Sequence, residues 1–141
     1  LRRRFGLRRL RFMSRERIST IPDGPPAIGP YSPAVVAEGK FLFVSGQIPY
    51  DVQAGGIVKG SIAEQTRIVL TNLERVLKTA GASLASVVHC RVYLQPLTKE
   101  TFAEMNGVYE EFFGTDKPAR TTLGAQLLNF DVEIEAIAVL D

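Results

Sequence analysis

From about residue 60 onward, apolar positions recur with helical spacing. Ile62, Thr66, Val69, Leu73, Val76, Leu77 and Ala80 fall on one face of a helix. The preceding Ser61-Ile62-Ala63-Glu64 has the form of a capping box, in which serine and glutamate each satisfy an orphan N–H, and Gly81 supplies a left-handed stop. A second helix is predicted from about Lys99 to Phe113, ending at Gly114, with a buried stripe of Phe102, Met105, Tyr109 and Phe112 and with Asn106 beside it. Shorter apolar runs predict strands. Ala34–Ala37 and Phe41–Ser45, joined by Glu38-Gly39-Lys40, read as a β-hairpin. Val87–Leu94, Arg120–Leu127 and Val132–Leu140 read as three more strands. The Pro/Gly-rich Ile21–Pro33 should be extended, and Gly46–Gly60 should be a long irregular loop.

The order is β-β-α-β-α-β-β. Each helix has one apolar face, so both can cover the same side of one mixed sheet, an α+β two-layer sandwich. The last strand is apolar on both faces after Glu135, through Ala136, Ile137, Ala138, Val139 and Leu140. Helices on one side cannot bury both faces, so another subunit is expected to cover the rest, giving a homo-oligomer.

The length of 141 residues suits one domain. A single cysteine, Cys90, rules out an intramolecular disulfide and a Cys-rich zinc site, and a single histidine, His89, leaves no histidine cluster for a metal. There is no phosphate-binding glycine loop and no nucleophile elbow. Six arginines, Arg2, Arg3, Arg4, Arg8, Arg9 and Arg11, account for more than the whole net charge of +2 and leave −4 for the remainder. That mildly acidic body disfavours a surface for phosphate backbones. The start, LRRRFGLRRLRF, suits a targeting peptide or basic arm. It equally suits a disordered tail or a mis-called upstream extension, since MSRERIST from Met13 reads as an ordinary protein start. Residues 1–20 are therefore assigned to a basic tail and 21–141 to one domain. No run approaches the ~18 apolar residues of a membrane span. The expected location is cytoplasmic, or mitochondrial if the arginine-rich start is a transit segment.

His89 and Cys90 are neighbours on a strand, so they point to opposite faces and cannot pair as base and nucleophile. Cys90 reads as a small buried hydrophobe, and His89 as a surface or satisfied core residue. Glu133, between Val132 and Ile134, is either a solvated strand-end residue or a carboxylate at a subunit junction, where a raised pKa would let it act on water. Arg120 follows Pro118-Ala119. Most strand arginines are surface residues, yet the planar fork is the side chain best suited to gripping a substrate carboxylate. Asn106 is either a structural cap or a ligand contact.

Four stretches, AIGPYSPAV (27–35), FLFVSGQIP (41–49), MNGVYEEFFG with KPARTT (105–114 and 117–122) and VEIEAIAV (132–139), together resemble the Rid/YjgF family. EQTRIVLTNLERVLKTAGASL (64–84) resembles its first helix, and the likeness runs over about residues 14–141. The resemblance implies a homotrimer with the chorismate-mutase-like fold, its sheets around a central barrel and three clefts between neighbouring subunits. It also implies a cofactor-free reaction, the hydrolytic deamination of 2-aminoacrylate and related enamine or imine acids to 2-oxo acids and ammonia. By the same resemblance Arg120 binds the substrate carboxylate, Glu133 positions or activates water, and Tyr31, Ser45, Gly46 and Asn106 line the cleft, with Tyr31 or Ser45 reaching the substrate nitrogen. The family's deaminases often carry cysteine two residues after the arginine. Here Thr122 stands there, and its backbone N–H can still donate to the carboxylate. The link before VEIEA is shorter than in familiar deaminases and lacks their common proline.

Two other functions follow from the same stretches. One is a noncatalytic, carboxylate-metabolite-binding or chaperone-like trimer, which Thr122 in place of the usual cysteine keeps open. The other is an RNA-directed ribonuclease or translation inhibitor, which the acidic body and the lack of an aromatic-basic pattern disfavour.

Overall fold

The computed structural model of the chain describes residues 14–141. The arginine-rich start, with the targeting and tail readings attached to it, lies outside the described residues. Eight strands and two α-helices are found among those described: β1 (Arg15–Ile18), β2 (Ala34–Ala37), β3 (Lys40–Gln47), β4 (Tyr50–Asp51), β5 (Gly56–Ile57), α1 (Ile62–Thr79), β6 (Val87–Leu94), α2 (Lys99–Phe113), β7 (Ala119–Gly124) and β8 (Val132–Leu140). The main sheet has the order β3-β8-β6-β7. β8 is antiparallel to both neighbours and β7 runs parallel to β6. Both helices cover one face, so the fold is the α+β sandwich with a mixed sheet that the pattern predicts.

The core lies between that face and the helices. Val69, Leu70, Leu73 and Leu77 of α1 and Met105, Tyr109 and Phe113 of α2 pack on Cys90, Val92 and Leu94 of β6 and on Val132, Ile134, Ala136 and Ala138 of β8. Each such leucine contributes about 1.5–3 kcal/mol by leaving water. α1 buries Gln65 and Leu70 in addition to the predicted stripe, while Ala80 is exposed. Ser61 caps α1 by accepting the Glu64 N–H at 3.1 Å, but Glu64 makes no reciprocal bond, so only half of the expected capping box forms. The full box occurs at α2, between Thr98 and Thr101. Gly81 closes α1 at φ +73°, with its N–H on Lys78 O and the Ala82 N–H on Leu77 O, a Schellman stop.

Four expectations are corrected. β2 and β3 do not pair as a hairpin: β2 pairs with β1 in a separate two-stranded sheet, and β3 pairs with β8. Gly39, at φ +126°, turns the chain between sheets instead. Residues 15–18, assigned to the tail, form β1, and Arg17 ties it down by donating to Ala85 O at 2.9 Å. The loop 46–60 contains the short β4–β5 ladder, held to α1 by the Asn72 amide, which donates to Ile48 O and Tyr50 O. β7 stops at Gly124 rather than Leu127. There the chain leaves the ladder, and the Leu127 N–H donates to the Gln95 side chain at 2.7 Å.

One buried polar tie fixes where β8 begins. Gln65 is fully enclosed; its amide N–H groups donate to Gly60 O (2.9 Å) and to an Asp131 carboxylate oxygen (3.0 Å). Its oxygen accepts the Asp131 backbone N–H at 2.8 Å.

Candidate active site

Strand register decides which side chains can meet. Cys90 is opposite Arg120 on one side and Ala136 on the other, so all three project toward the helices. Thr122, opposite the buried Val92, projects the same way. Tyr93 faces away from the helices, and Glu133 is opposite Tyr93. Arg120 and Glu133 therefore leave the sheet on opposite faces. One chain does not bring the predicted site residues into one pocket: Tyr31, Asn106, Arg120 and Thr122 gather on the helix side, and Ser45, Gly46 and Glu133 on the other.

On the helix side, α2 and the loop before β2 enclose the Arg120 guanidinium. Its carbon lies 4.8 Å from the Tyr109 ring centre, 5.3 Å from Tyr31 and 5.6 Å from Phe102, a collar of three rings. Ser32 docks the loop, its backbone N–H donating to Pro118 O (3.0 Å) and its hydroxyl to Lys117 O (2.5 Å). Tyr31 presents its ring to Arg120, and its hydroxyl accepts the Ile28 N–H at 3.1 Å, which leaves its own O–H to donate. Arg120 makes no ion pair among the described residues. Its Nη1 has only the Met105 sulfur at 4.0 Å, and Nε and Nη2 are shielded with no partner. Nε–H and Nη2–H point the same way along one edge of the guanidinium, the spacing that matches the two oxygens of a carboxylate. Asn106 Oδ1 and Thr122 Oγ1 are likewise shielded and unpartnered, and the only polar neighbour of the shielded Tyr109 hydroxyl among the described residues is the Cys90 thiol. Buried polar groups are ordinarily satisfied. Such a cluster of orphans is a candidate seat for a polar ligand.

Burial pulls the Arg120 guanidinium below its ordinary pKa, opposed by Tyr109, Cys90 and Tyr31. Cys90, beneath it, is pushed up to about 12 chiefly by burial, which makes it an inert thiol as expected.

On the other face, Val44 pairs with Ala136 and Gln47 with Ile134, so three steps of β3 span two of β8. Ser45 and Gly46 form this bulge, a device that re-aims side chains beside functional sites. A Cβ on Gly46 would stand 2.5 Å from a Glu133 carboxylate oxygen, so the glycine leaves that carboxylate its room. Burial, and then Glu135, raise the Glu133 pKa. Glu135 moves the other way, because Arg91 (3.0 Å) and the Tyr93 hydroxyl (2.9 Å) donate to it. Two carboxylates on one strand thus have their pKa values pushed apart, an arrangement typical of acid–base sites. This face is open, with Phe43 73% exposed.

Sequence reasoning missed Gly29, Phe102 and Tyr109 as parts of the site. The two aromatics read as core stripe, which they also are, and Gly29 as one residue of an extended Pro/Gly-rich segment. A wide concavity of about 530 Å³ beside α1, bordered by Thr71, Glu74, Arg75, Lys78 and residues 82–85, contains none of these groups.

The Endoribonuclease L-PSP family model matches residues 22–140. A RutC family protein of Pyrococcus horikoshii is 51% identical over 118 residues, covering 82% of this chain and 91% of the relative. The 2-iminobutanoate/2-iminopropanoate deaminase of Bos taurus is 39% identical, covering 87% of this chain and 89% of its own. The solved structure of YyfB, a conserved Rid family protein of Yersinia pestis, superposes with a TM-score of 0.80 at 32% identity, covering 91% of this chain and all of the other. This is a small α+β protein of the L-PSP type. The chain belongs to the Rid/YjgF family.

Proposed function

We propose that the protein hydrolyses reactive 2-imino acids to 2-oxo acids and ammonia, in a site completed by a second copy of the chain. The observation that carries this reading is the unpartnered Nε–H/Nη2–H edge of Arg120 in its aromatic collar. The deaminases among its relatives supply the reaction class. Arg120 holds the substrate carboxylate and so fixes the adjacent imine carbon, with Thr122 as a further donor and Asn106 lining the seat. Glu133 of a neighbouring copy takes a proton from water as its oxygen adds to that carbon. It returns that proton to nitrogen, and as the C–N bond breaks it takes the remaining proton of the new hydroxyl, which leaves a carbonyl and releases ammonia. The Tyr31 or Ser45 hydroxyl hydrogen-bonds the nitrogen, its oxygen accepting the iminium N–H. The open apolar face around Phe43 is where a neighbour would pack, and a trimer closes such an arrangement by symmetry. Iminium carbons are already electrophilic, so positioning and one general base suffice and the reaction needs no cofactor.

The test is Arg120→Ala, assayed with imines generated in situ by a pyridoxal-phosphate dehydratase. Hydrolysis should fall to the uncatalysed rate; an unchanged rate rejects the assignment. A second reading, a binder without turnover, is favoured by one observation: the arginine seat is complete within one chain, whereas Glu133 is not part of it. On that reading 2-oxo acids bind through Arg120 and Glu133→Gln changes nothing.

A further inference from the structure

On the open face of the sheet, register sets Tyr93 opposite Glu133 and Arg91 opposite Glu135. The hydrogen bonds do not follow these rungs. Tyr93 passes over the carboxylate across from it and donates diagonally to Glu135 Oε1 at 2.9 Å, while Arg91 Nη1 donates to the same oxygen at 3.0 Å. One carboxylate takes both donors, and among the described residues no side chain donates to the other. This unequal sharing fixes the charges. The Arg91 bond, and then the Tyr93 bond, hold Glu135 ionised below the ordinary carboxylate range, and the same bond keeps Tyr93 protonated. Glu133 stands two residues away on the same face, about 7 Å along the strand. It meets the repulsion of Glu135 without a share of the donors. Its carboxylate lies over Gly46, on the side away from β6. The other groups that face it are Arg91 and His89 on β6. β3 adds Ser45, Gly46 and Gln47, and β7 adds Thr121 and Leu123, none of which titrates. Arg91 cancels only part of the Glu135 charge. It is a rung further from Glu133, and its side chain is 53% exposed against 33% for Glu135, so water screens it more.

We propose that Glu135 is a positioning residue: Arg91 and Tyr93 pin it as a fixed negative charge on the flank of Glu133, and that charge sets the pH at which Glu133 works as a base. This deepens the imino-acid reading and rests on its assignment of Glu133 as the base. Glu135 touches no reacting atom. It acts by making the neighbouring carboxylate hold its proton more tightly, and a base is more effective as its proton affinity approaches that needed at working pH. Arg120 of a neighbouring copy faces Glu133 in the proposed assembly, but it is common to every variant below and drops out of their differences.

The experiment is an NMR titration of protein labelled at its glutamate carboxyl carbons, beside pH–rate profiles for imine hydrolysis, for the unsubstituted protein, Glu135→Gln and Arg91→Gln. The Glu133 signal is the one that Glu133→Gln lacks. Glutamine at 135 keeps an oxygen for Arg91 and Tyr93 and removes the charge. The expected result is a Glu133 midpoint lower by about 0.5–1 pH unit in Glu135→Gln and higher, by a smaller step, in Arg91→Gln. The acid limb of the rate profile should move with the midpoint in both. A purely structural ion pair would lower the melting temperature of both variants and move neither midpoint. If Glu133 titrates at the same pH in all three proteins, the Glu135 proposal falls and the base assignment stands. If the midpoint moves and the acid limb does not follow, Glu133 is not the base and both fall. Should Glu135→Gln not fold, Arg91→Gln decides: an upward midpoint supports the proposal, and an unmoved one overturns it.

Discussion

Arg120 and Glu133 are both placed by β6, the strand that pairs with β7 and β8, yet they project from opposite faces of the sheet. Arg120 is level with Cys90 and Glu133 with Tyr93, and those two positions alternate. A rigid sheet lies between the guanidinium and the carboxylate of one chain. Chemistry that uses both must take one from each of two copies.

That geometry predicts complementation. Arg120→Ala and Glu133→Gln proteins should each be inactive alone. Mixed in equal amounts, dissociated and reassembled, they should recover about a quarter of the unsubstituted activity, the share of junctions that random cyclic assembly leaves with both groups intact. A mixture as inactive as its components would show that the two groups do not meet across a junction.

Glu133→Gln alone should lower kcat by about 10²–10⁴-fold, the usual worth of a general base, and leave KM nearly unchanged because Arg120 still holds the carboxylate. Steady-state kinetics on dehydratase-generated imines check this split. A raised KM with normal kcat would instead make Glu133 a binding group.

The raised pKa of Glu133 has a sign in stability as well. Its protonated form is favoured in the fold, so its contribution is fully present below the unfolded value, near 4.5, and is lost as pH rises through the folded value. Glutamine mimics the protonated acid. Glu133→Gln should therefore melt above the unsubstituted protein at pH 7 and converge with it near pH 4. Activity, which needs the ionised form, should fall as pH drops through the same folded value, and melts and rate profiles across that range test both.

Arg120→Lys keeps the positive charge but loses the two-pronged edge. Affinity for 2-oxobutanoate should fall about ten- to a hundredfold, the worth of one charge-assisted hydrogen bond. Equal binding by lysine would mean that charge alone, without the fork, holds the ligand.

Tyr109→Phe removes a shielded hydroxyl whose only polar neighbour is the Cys90 thiol, a weak partner, while keeping the ring 4.8 Å from the Arg120 guanidinium carbon. Stability should be unchanged or higher by up to about 1 kcal/mol. A clear loss of stability in denaturant unfolding would mean that the hydroxyl is bonded in solution.

The helices and the strands β6 and β8 were legible because their burial repeats at a fixed interval. Residues 99–113 and 132–140 begin and end where the apolar pattern does. The hairpin between β2 and β3 was misread because strand pairing is a long-range choice. β3 finds a better apolar neighbour in Ala136–Leu140, almost a hundred residues away, while β2 takes Arg15–Ile18. β1 itself was hidden by its charges, since RERI alternates too weakly to announce a half-buried strand. Arg120 and Glu133 could be named from their motifs, but not the fact that a sheet separates them; that needs the register of three strands. That Gly29 lies against Arg120 and Asn106 was invisible for a related reason: in the sequence it is one residue of an extended Pro/Gly-rich segment.

The enclosed Gln65, with both amide groups spent on Gly60 and Asp131, clamps β8 two residues before Glu133. Were β8 to slide by a single position against its neighbours, Ile134 would turn outward and the carboxylate would be driven into the hydrocarbon interior. The phase of the whole strand, acid outward and aliphatic inward, is thus locked from its first residue by a side chain that never touches the reaction.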